Sequence, residues 1–199
     1  MARLTDGSLV GAADKVAAIM AETAAELQNT EAQTDENYIA YLLDILQYGP
    51  DTSYAYAIEP FLDGPRDFLA TQALLVLCNS YKLTEYYLNH LVKFIRGVEW
   101  DAFDDLLDTA LMTAGHYLRE HRNAELLCEL IRTVHYPLQY SDRPNYPSLA
   151  QERQEFAYTA ILEALGRPRP ITRVISFQKI DPAVMREAEE RLQTEESGC

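Results

Sequence analysis

Apolar residues recur along most of this chain at every third or fourth position, which is the period of one face of an α-helix. The clearest series lies near the N-terminus and consists of Val16, Ile19, Met20, Thr23, Ala24 and Leu27. Charged residues such as Asp14, Lys15, Glu22 and Glu26 occupy the other faces. The pattern predicts an amphipathic helix over residues 12–28 that buries this apolar series.

The same pattern, with its start and stop signals, predicts a chain built almost entirely of helices. Asn123 and Asp181-Pro182 are typical helix starts, and Gly49-Pro50 is a typical stop. Strand signals are nearly absent, apart from a short extended segment predicted over 171–177, so the predicted class is all-α. The further predicted helices cover about 35–48, 53–62, 65–79, 84–97, 100–120, 123–135, 148–166 and 181–193.

The helices follow one another in pairs with a rough repeat. Phe61-Leu62-Asp63-Gly64 is echoed 33 residues later by Phe94-Ile95-Arg96-Gly97. Ala73-Leu74-Leu75 is echoed 37 residues later by Ala110-Leu111-Met112. A period of this length, made of two helices, is typical of a solenoid in which neighbouring pairs stack to bury a core. We therefore expect an α-solenoid domain over residues 1–166. The segment Arg167-Pro168-Arg169-Pro170 cannot be helical, so 167–199 is predicted to form a linker and a C-terminal helix.

Several segments resemble the HEAT repeat, an armadillo-type helical pair. Ile58-Glu59-Pro60-Phe61-Leu62 followed by Ala73-Leu74-Leu75-Val76-Leu77 resembles a first helix, its turn and a second helix. Gly115-His116-Tyr117-Leu118-Arg119 and the segment 160–166 resemble second-helix endings. The resemblance covers about 37–166. It implies a right-handed α-α superhelix of about three repeats with additional N- and C-terminal helices. Small acidic proteins of this type resemble bacterial immunity proteins, which neutralise a cognate toxin.

Charge narrows the set of partners. The 199 residues include 17 lysines and arginines against 31 aspartates and glutamates, which gives a net charge of −14. This acidity argues against direct binding to nucleic acid or to an anionic membrane. There is no signal-peptide pattern and no apolar run long enough to span a bilayer. The three cysteines have neither metal-site nor disulfide spacing, and Cys78 and Cys128 are expected in the core. We expect a cytoplasmic protein.

Catalytic and metal motifs are weak. Asp104-Asp105-Leu106-Leu107-Asp108 matches the DDxxD pattern that holds Mg²⁺ in prenyl-diphosphate enzymes, but no second acidic motif accompanies it. His116 and His121 are five residues apart, which turns their rings to different sides of a helix. We therefore expect no cofactor, no metal and no enzymatic activity, with a metal-dependent α-helical enzyme as the least favoured alternative.

The remaining signals favour a protein that binds another protein. If second helices line the concave side of the solenoid, an exposed acidic stripe shares that surface with glutamates of a later helix. Tyrosines on a proline-rich insertion over 136–148 would add aromatic anchors. The predicted binding residues are Asp101, Asp104, Asp105, Asp108, Tyr136, Tyr140, Tyr146, Glu152 and Glu155. The preferred function is an immunity protein that grips a basic toxin, and the alternative is a scaffold without inhibitory activity.

Overall fold

The computed structural model describes residues 7–29, 35–49, 52–136, 149–168 and 179–197. All regular secondary structure in these ranges is helical, which confirms the predicted all-α class. The chain divides into two compact units, Met1–Leu83 and Thr84–Cys199. The boundary predicted near residue 166 stays a prediction. Within the ranges given, no helix is both long and apolar enough to cross a membrane.

The first unit packs alternate helices against each other. α1 contacts α2 and α3, and α2 contacts α4. Arg66 lies 3.6 Å from Glu36 at the start of α2, and Tyr81 Oη donates to Leu46 O at its end over 2.8 Å. Because these two contacts follow the same order along both helices, α2 and α4 run in the same direction. The helices are α1 (Gly7–Gln28), α2 (Glu36–Leu46), α3 (Ala55–Ile58) with a 3₁₀ turn (Glu59–Leu62), and α4 (Asp67–Leu74) with a π turn (Leu75–Ser80).

Local signals predicted some boundaries of this unit and missed others. Asp35 caps α2, since its Oδ1 accepts from the backbone N–H groups of Asn37 and Tyr38 at 3.0 and 3.3 Å. α1 begins at Gly7, five residues before the predicted start, and α4 begins at Asp67 rather than at Pro65. The prediction that α1 buries its whole apolar series is wrong for Val16 and Ile19, which are exposed.

The second unit has α6 and α8 at its centre, and these two helices share its most extensive contact. α5 packs on α6 and α7, and α7 packs on α8 and α9. Gly115 lies against the backbone of Ala160, where a Cβ would come within 2.7 Å of the carbonyl oxygen. The helices are α5 (Leu88–Ile95, after a 3₁₀ turn over Thr84–Tyr87), α6 (Asp105–Glu120), α7 (Ala124–His135), α8 (Leu149–Ala164) and α9 (Pro182–Ser197).

Of three helix starts predicted in the second unit, two agree with the structure and one does not. Asn123 caps α7 as predicted, its Oδ1 accepting from Leu126 N at 2.9 Å. Asp181 Oδ1 accepts from Ala183 N at 2.8 Å, and Pro182 is the first residue of α9. The predicted start of α6 at residue 100 is wrong, because the helix begins only at Asp105.

The cysteines and the proline-rich insertion complete the comparison with the sequence. Cys78 is buried as expected, whereas Cys128 is exposed and does not belong to the core. Tyr140 and Tyr146 lie outside the described residues. The same holds for Ser148, where the helix over 148–166 was predicted to begin, and for the predicted extended segment 171–177.

Candidate functional site

The predicted aspartate stripe is not a stripe on one helix. Asp101 and Asp104 precede α6 and are buried, with exposed fractions of 7% and 5%. Asp105 is exposed and Asp108 is half-buried on the first turn of the helix. The expectation of four exposed, helically spaced carboxylates is therefore wrong, because the chain is bent rather than helical before α6 begins at Asp105. Asp104 has a φ of 65°, a left-handed conformation that aspartate tolerates better than most residues.

Asp101 caps α6 from outside the helix. Its two carboxylate oxygens accept from the backbone N–H groups of Leu106 and Leu107 at 3.4 and 2.9 Å. These amides belong to the first turn, where no intrahelical acceptor is available, and a negative charge there also interacts favourably with the helix dipole. Asp101 thus has a structural role, and its burial removes it from any partner-binding surface.

Asp104 joins α6 to α8 through a buried ion pair. Arg153 donates from Nε to Asp104 Oδ2 at 2.7 Å and from Nη2 to Oδ1 at 2.5 Å. Arg153 is only 1% exposed, so both charges are withdrawn from water and depend on each other. Asp104, like Asp101, is therefore part of the interior.

The third aspartate of this cluster, Asp108, has a raised pKa. Burial raises the pKa of its carboxyl from 3.8 to about 8, with further contributions from Asp104, Asp101, Glu152 and Asp105, in that order. Its Oδ1 is buried and has no hydrogen-bond partner within the described part of the chain. The pKa places a proton on Asp108 at neutral pH, because burial disfavours the charged carboxylate and the neighbouring carboxylates add to this effect.

An exposed surface adjoins this buried cluster. Glu152 and Phe156 are one turn apart on α8 and share a face, whereas Gln154 between them donates from Nε2 to Val134 O of α7 at 2.6 Å. Phe103, next to Asp104, is 68% exposed, and Phe156 is 38% exposed. We call Phe103, Asp105, Glu152 and Phe156 the acidic–aromatic surface.

The structure brings together some of the predicted binding residues and separates others. Asp105 and Glu152 both lie close enough to Asp108 to raise the pKa of its carboxyl. Glu155 is half-buried, and Tyr136 is 78% exposed at the end of α7. Sequence reasoning missed Arg153, Phe103 and Phe156. A lone arginine in a helix with several glutamates gives no signal that it is the buried one.

At the C-terminal end of the α6–α8 pair, an arginine from α9 contacts the ends of both helices. Arg191 of α9 donates to the backbone carbonyls of Leu118, His121 and Ala164 at 2.7, 3.0 and 2.7 Å, and to Glu195 Oε1 at 2.7 Å. These carbonyls lie at the C-terminal ends of α6 and α8, where intrahelical donors are missing. A shallow pocket of about 390 Å³ lies beside them, also lined by Arg119 and Arg122.

The histidines do not converge on a common centre. His116 Nε2 lies 3.8 Å from Glu163 Oε1, while His121 stacks on the ring of Tyr117 with centroids 4.4 Å apart. Among the residues that the structure describes, no three or more His, Cys, Asp or Glu side chains are grouped so as to hold a metal ion.

Comparison with known proteins adds no identification. No protein-family model matches the chain, and no curated protein and no solved structure was found to be similar to it.

Proposed function

We propose that this chain is a protein-binding module whose acidic–aromatic surface takes a basic partner protein. The observation that carries the proposal is the group of carboxylates at the start of α6, which add to the effect of burial in raising the pKa of Asp108 to about 8. A lysine or arginine brought by a partner would supply a counter-charge to carboxylates that Arg153, already paired with Asp104, does not neutralise. Such a surface also attracts basic proteins over a distance and increases their association rate.

The two phenylalanines give this surface an apolar component. Phe103 and Phe156 are exposed next to Asp105 and Glu152, so a partner could bury rings and pair charges in one contact. Aromatic anchors surrounded by polar groups are typical of the residues that dominate binding energy at protein interfaces. The insertion that begins at Tyr136, with Tyr140, Tyr146 and the nearby Glu155, is proposed as a further part of the contact.

The fold that presents the surface is proposed to be a HEAT-like stack of helical pairs. Support comes from the packing of alternate helices within each unit, α2 on α4 in the first and α6 on α8 in the second. α6 and α8 run in the same direction, because Asp104, Gly115 and Arg119 contact Arg153, Ala160 and Glu163 in the same order. Parallel neighbours two elements apart are what stacked helical pairs produce. The right-handed superhelix is part of this proposal.

The most concrete form of the function is an immunity protein that occludes a cognate toxin in the cytoplasm. The alternative is a scaffold that binds its partner without inhibiting it. Each product of the genes flanking that of this chain should be expressed alone and together with it. A product that is toxic alone and harmless in the presence of the chain supports immunity, whereas a stable complex without toxicity supports a scaffold.

A charge-reversed variant connects either outcome to the surface. Asp105→Lys/Glu152→Lys should weaken the complex about tenfold or more at low salt and leave its thermal unfolding nearly unchanged. The matched control is Glu120→Lys/Glu190→Lys, an equal change in charge at exposed positions elsewhere in the same unit. Equal affinity of the two variants would show that the acidic–aromatic surface is not the binding site.

A further inference from the structure

In the first unit, two contacts define how α1 lies along α2 and the segment that follows it. Tyr38 Oη at the start of α2 donates to Glu26 Oε1 near the end of α1. Tyr54 Oη, beyond the end of α2, donates to Ala17 O nearer the middle of α1 over 3.3 Å. The two contacts follow opposite orders along the chain, so α1 and α2 are antiparallel. Ile19 and Val16 therefore lie beside the second half of α2.

An apolar strip is exposed where these two helices meet. Val16 and Ile19 on α1 are 41% and 53% exposed, although both continue the apolar series that the rest of the helix buries. Tyr41 on α2 and Tyr48, in the turn directly after it, are 60% and 73% exposed, with the half-buried Ile45 between them. These three residues are four and three positions apart, and Tyr48 N donates to Ile45 O, so the turn continues the same face of the helix. We call these five residues the α1–α2 strip.

The strip is set in an acidic surrounding. Glu22 and Asp44 are exposed on α1 and α2, and Glu26 is half-buried. Over residues 14–28 and 35–48 the chain has six carboxylates against the single ammonium group of Lys15. A second copy of the chain would bring the same carboxylates against these, which opposes self-association through this face. A partner with positive charge would meet no such repulsion.

We propose that the α1–α2 strip is a second docking surface, which takes an amphipathic basic helix of a partner protein. An apolar face of such a helix covers Val16, Ile19, Ile45 and the two tyrosine rings, and its flanking lysines or arginines meet Glu22 and Asp44. A helix laid with its apolar face into a groove is a common recognition mode, and tyrosines are frequent anchors in it. This inference concerns the first unit and does not depend on the function proposed for the acidic–aromatic surface of the second.

The test uses the full chain and a synthetic helical peptide of about 18 residues, long enough to form a helix, with leucines on one face and lysines on the other. Binding is measured by calorimetry and mapped by amide chemical-shift changes. The expected result is binding that shifts resonances of α1 and α2. Two peptides serve as controls: one with glutamates in place of the lysines, and one with the same composition in scrambled order. Both should bind at least about tenfold more weakly.

Protein variants locate the contact. Ile19→Ser/Tyr48→Ser should lower the affinity for the leucine–lysine peptide about tenfold or more. The matched control, Phe68→Ser/Tyr86→Ser, removes exposed aromatic residues outside the strip and should bind as the wild type does. Unfolding of each variant by heat checks that the fold is retained. Three results would overturn the proposal: equal affinity of both variants, equal binding of the scrambled or glutamate peptide, or a dimer in solution that the strip variant dissociates.

Discussion

The two ends of the α6–α8 pair use arginine in contrasting ways. At the C-terminal end, Arg191 donates to three backbone carbonyls and one carboxylate, so its charge satisfies partial charges that helix ends always leave. At the N-terminal end, Arg153 is occupied by Asp104, while further carboxylates remain beside it. At the C-terminal end, the helix-end carbonyls are paired with Arg191. At the N-terminal end, carboxylates remain that Arg153 does not neutralise.

This difference indicates which end of the α6–α8 pair stabilises the fold and which end can respond to a binding partner or to a change of pH. At the C-terminal end, Arg191 supplies a donor to the helix-end carbonyls and a cation to Glu195, although Oε2 of Glu195 is buried without a hydrogen-bond partner among the described residues. At the N-terminal end, burial and the neighbouring carboxylates keep a proton on Asp108, and a partner's cation or a change of pH can alter that state. A surface poised in this way is a better candidate for recognition than one whose charges are already matched.

The largest expected effect is the loss of Arg153. Arg153→Met should lower the free energy of unfolding by about 3–5 kcal/mol, because it leaves the carboxylate of Asp104 buried without a counter-charge. Urea denaturation measures it. The exposed Arg122 supplies the control, since Arg122→Met should change stability by no more than about 0.5 kcal/mol. Adding Asp104→Asn to Arg153→Met removes the unpaired charge and keeps a residue that tolerates the left-handed backbone, so it should restore much of the loss, and a double variant as unstable as the single one would contradict this explanation.

The next effect depends on pH. The pKa of Asp108 is about 8 in the folded chain and 3.8 as a model group, so the folded state binds the extra proton and its advantage fades as pH rises from about 4 to about 8. Asp108→Asn mimics the protonated form and should be more stable than the wild type at pH 8 by several kcal/mol, because each unit of the pKa shift corresponds to about 1.4 kcal/mol. At pH 4 the two should unfold alike. A stability difference that does not vary between these pH values would argue against a buried titrating Asp108.

A smaller loss of stability is expected at the C-terminal end of the α6–α8 pair. Arg191→Met should lower the free energy of unfolding by about 1–3 kcal/mol, since it leaves the buried carboxylate of Glu195 without its cation, while Arg191 is itself half-buried and water can reach the carbonyls that lose their donor. Thermal and urea unfolding at pH 7 measure this loss. It should not change between pH 6 and pH 9, in contrast to the behaviour of Asp108. A loss as large as that of Arg153→Met would remove the asymmetry between the two ends.

The smallest effect on stability accompanies a specific effect on titration. Glu152→Lys should change the free energy of unfolding by no more than about 0.5 kcal/mol, because the side chain is exposed. It should nevertheless lower the pKa of Asp108, since it replaces one of the carboxylates that raise it with a positive charge. Glu190→Lys on α9 is the control and should leave the titration of Asp108 where it was.

The parts of the fold that the sequence predicts are those decided by neighbouring residues. Asp35, Asn123 and Asp181 cap their helices through amides two or three residues ahead, so their roles are visible in the local pattern. The start of α6 is different. Asp104 leaves the helical path and pairs with Arg153, which lies 49 residues away, and no local rule contains that contact.

The candidate site shows the same limit. Sequence analysis found the acidic residues that gather at the start of α6, because composition and spacing reveal them. It could not tell the buried Asp101 and Asp104 from the exposed Asp105, since burial depends on how α8 packs against the turn. The raised pKa of Asp108 also follows from that packing.

The most direct test of the account is a titration of the Asp108 carboxyl carbon by ¹³C NMR, with Asp108→Asn used to assign the resonance. The central claim is that burial, together with the carboxylates gathered at the start of α6, keeps Asp108 protonated at neutral pH. The account predicts a titration midpoint near pH 8. A midpoint near 4, the ordinary value for aspartate, would contradict it.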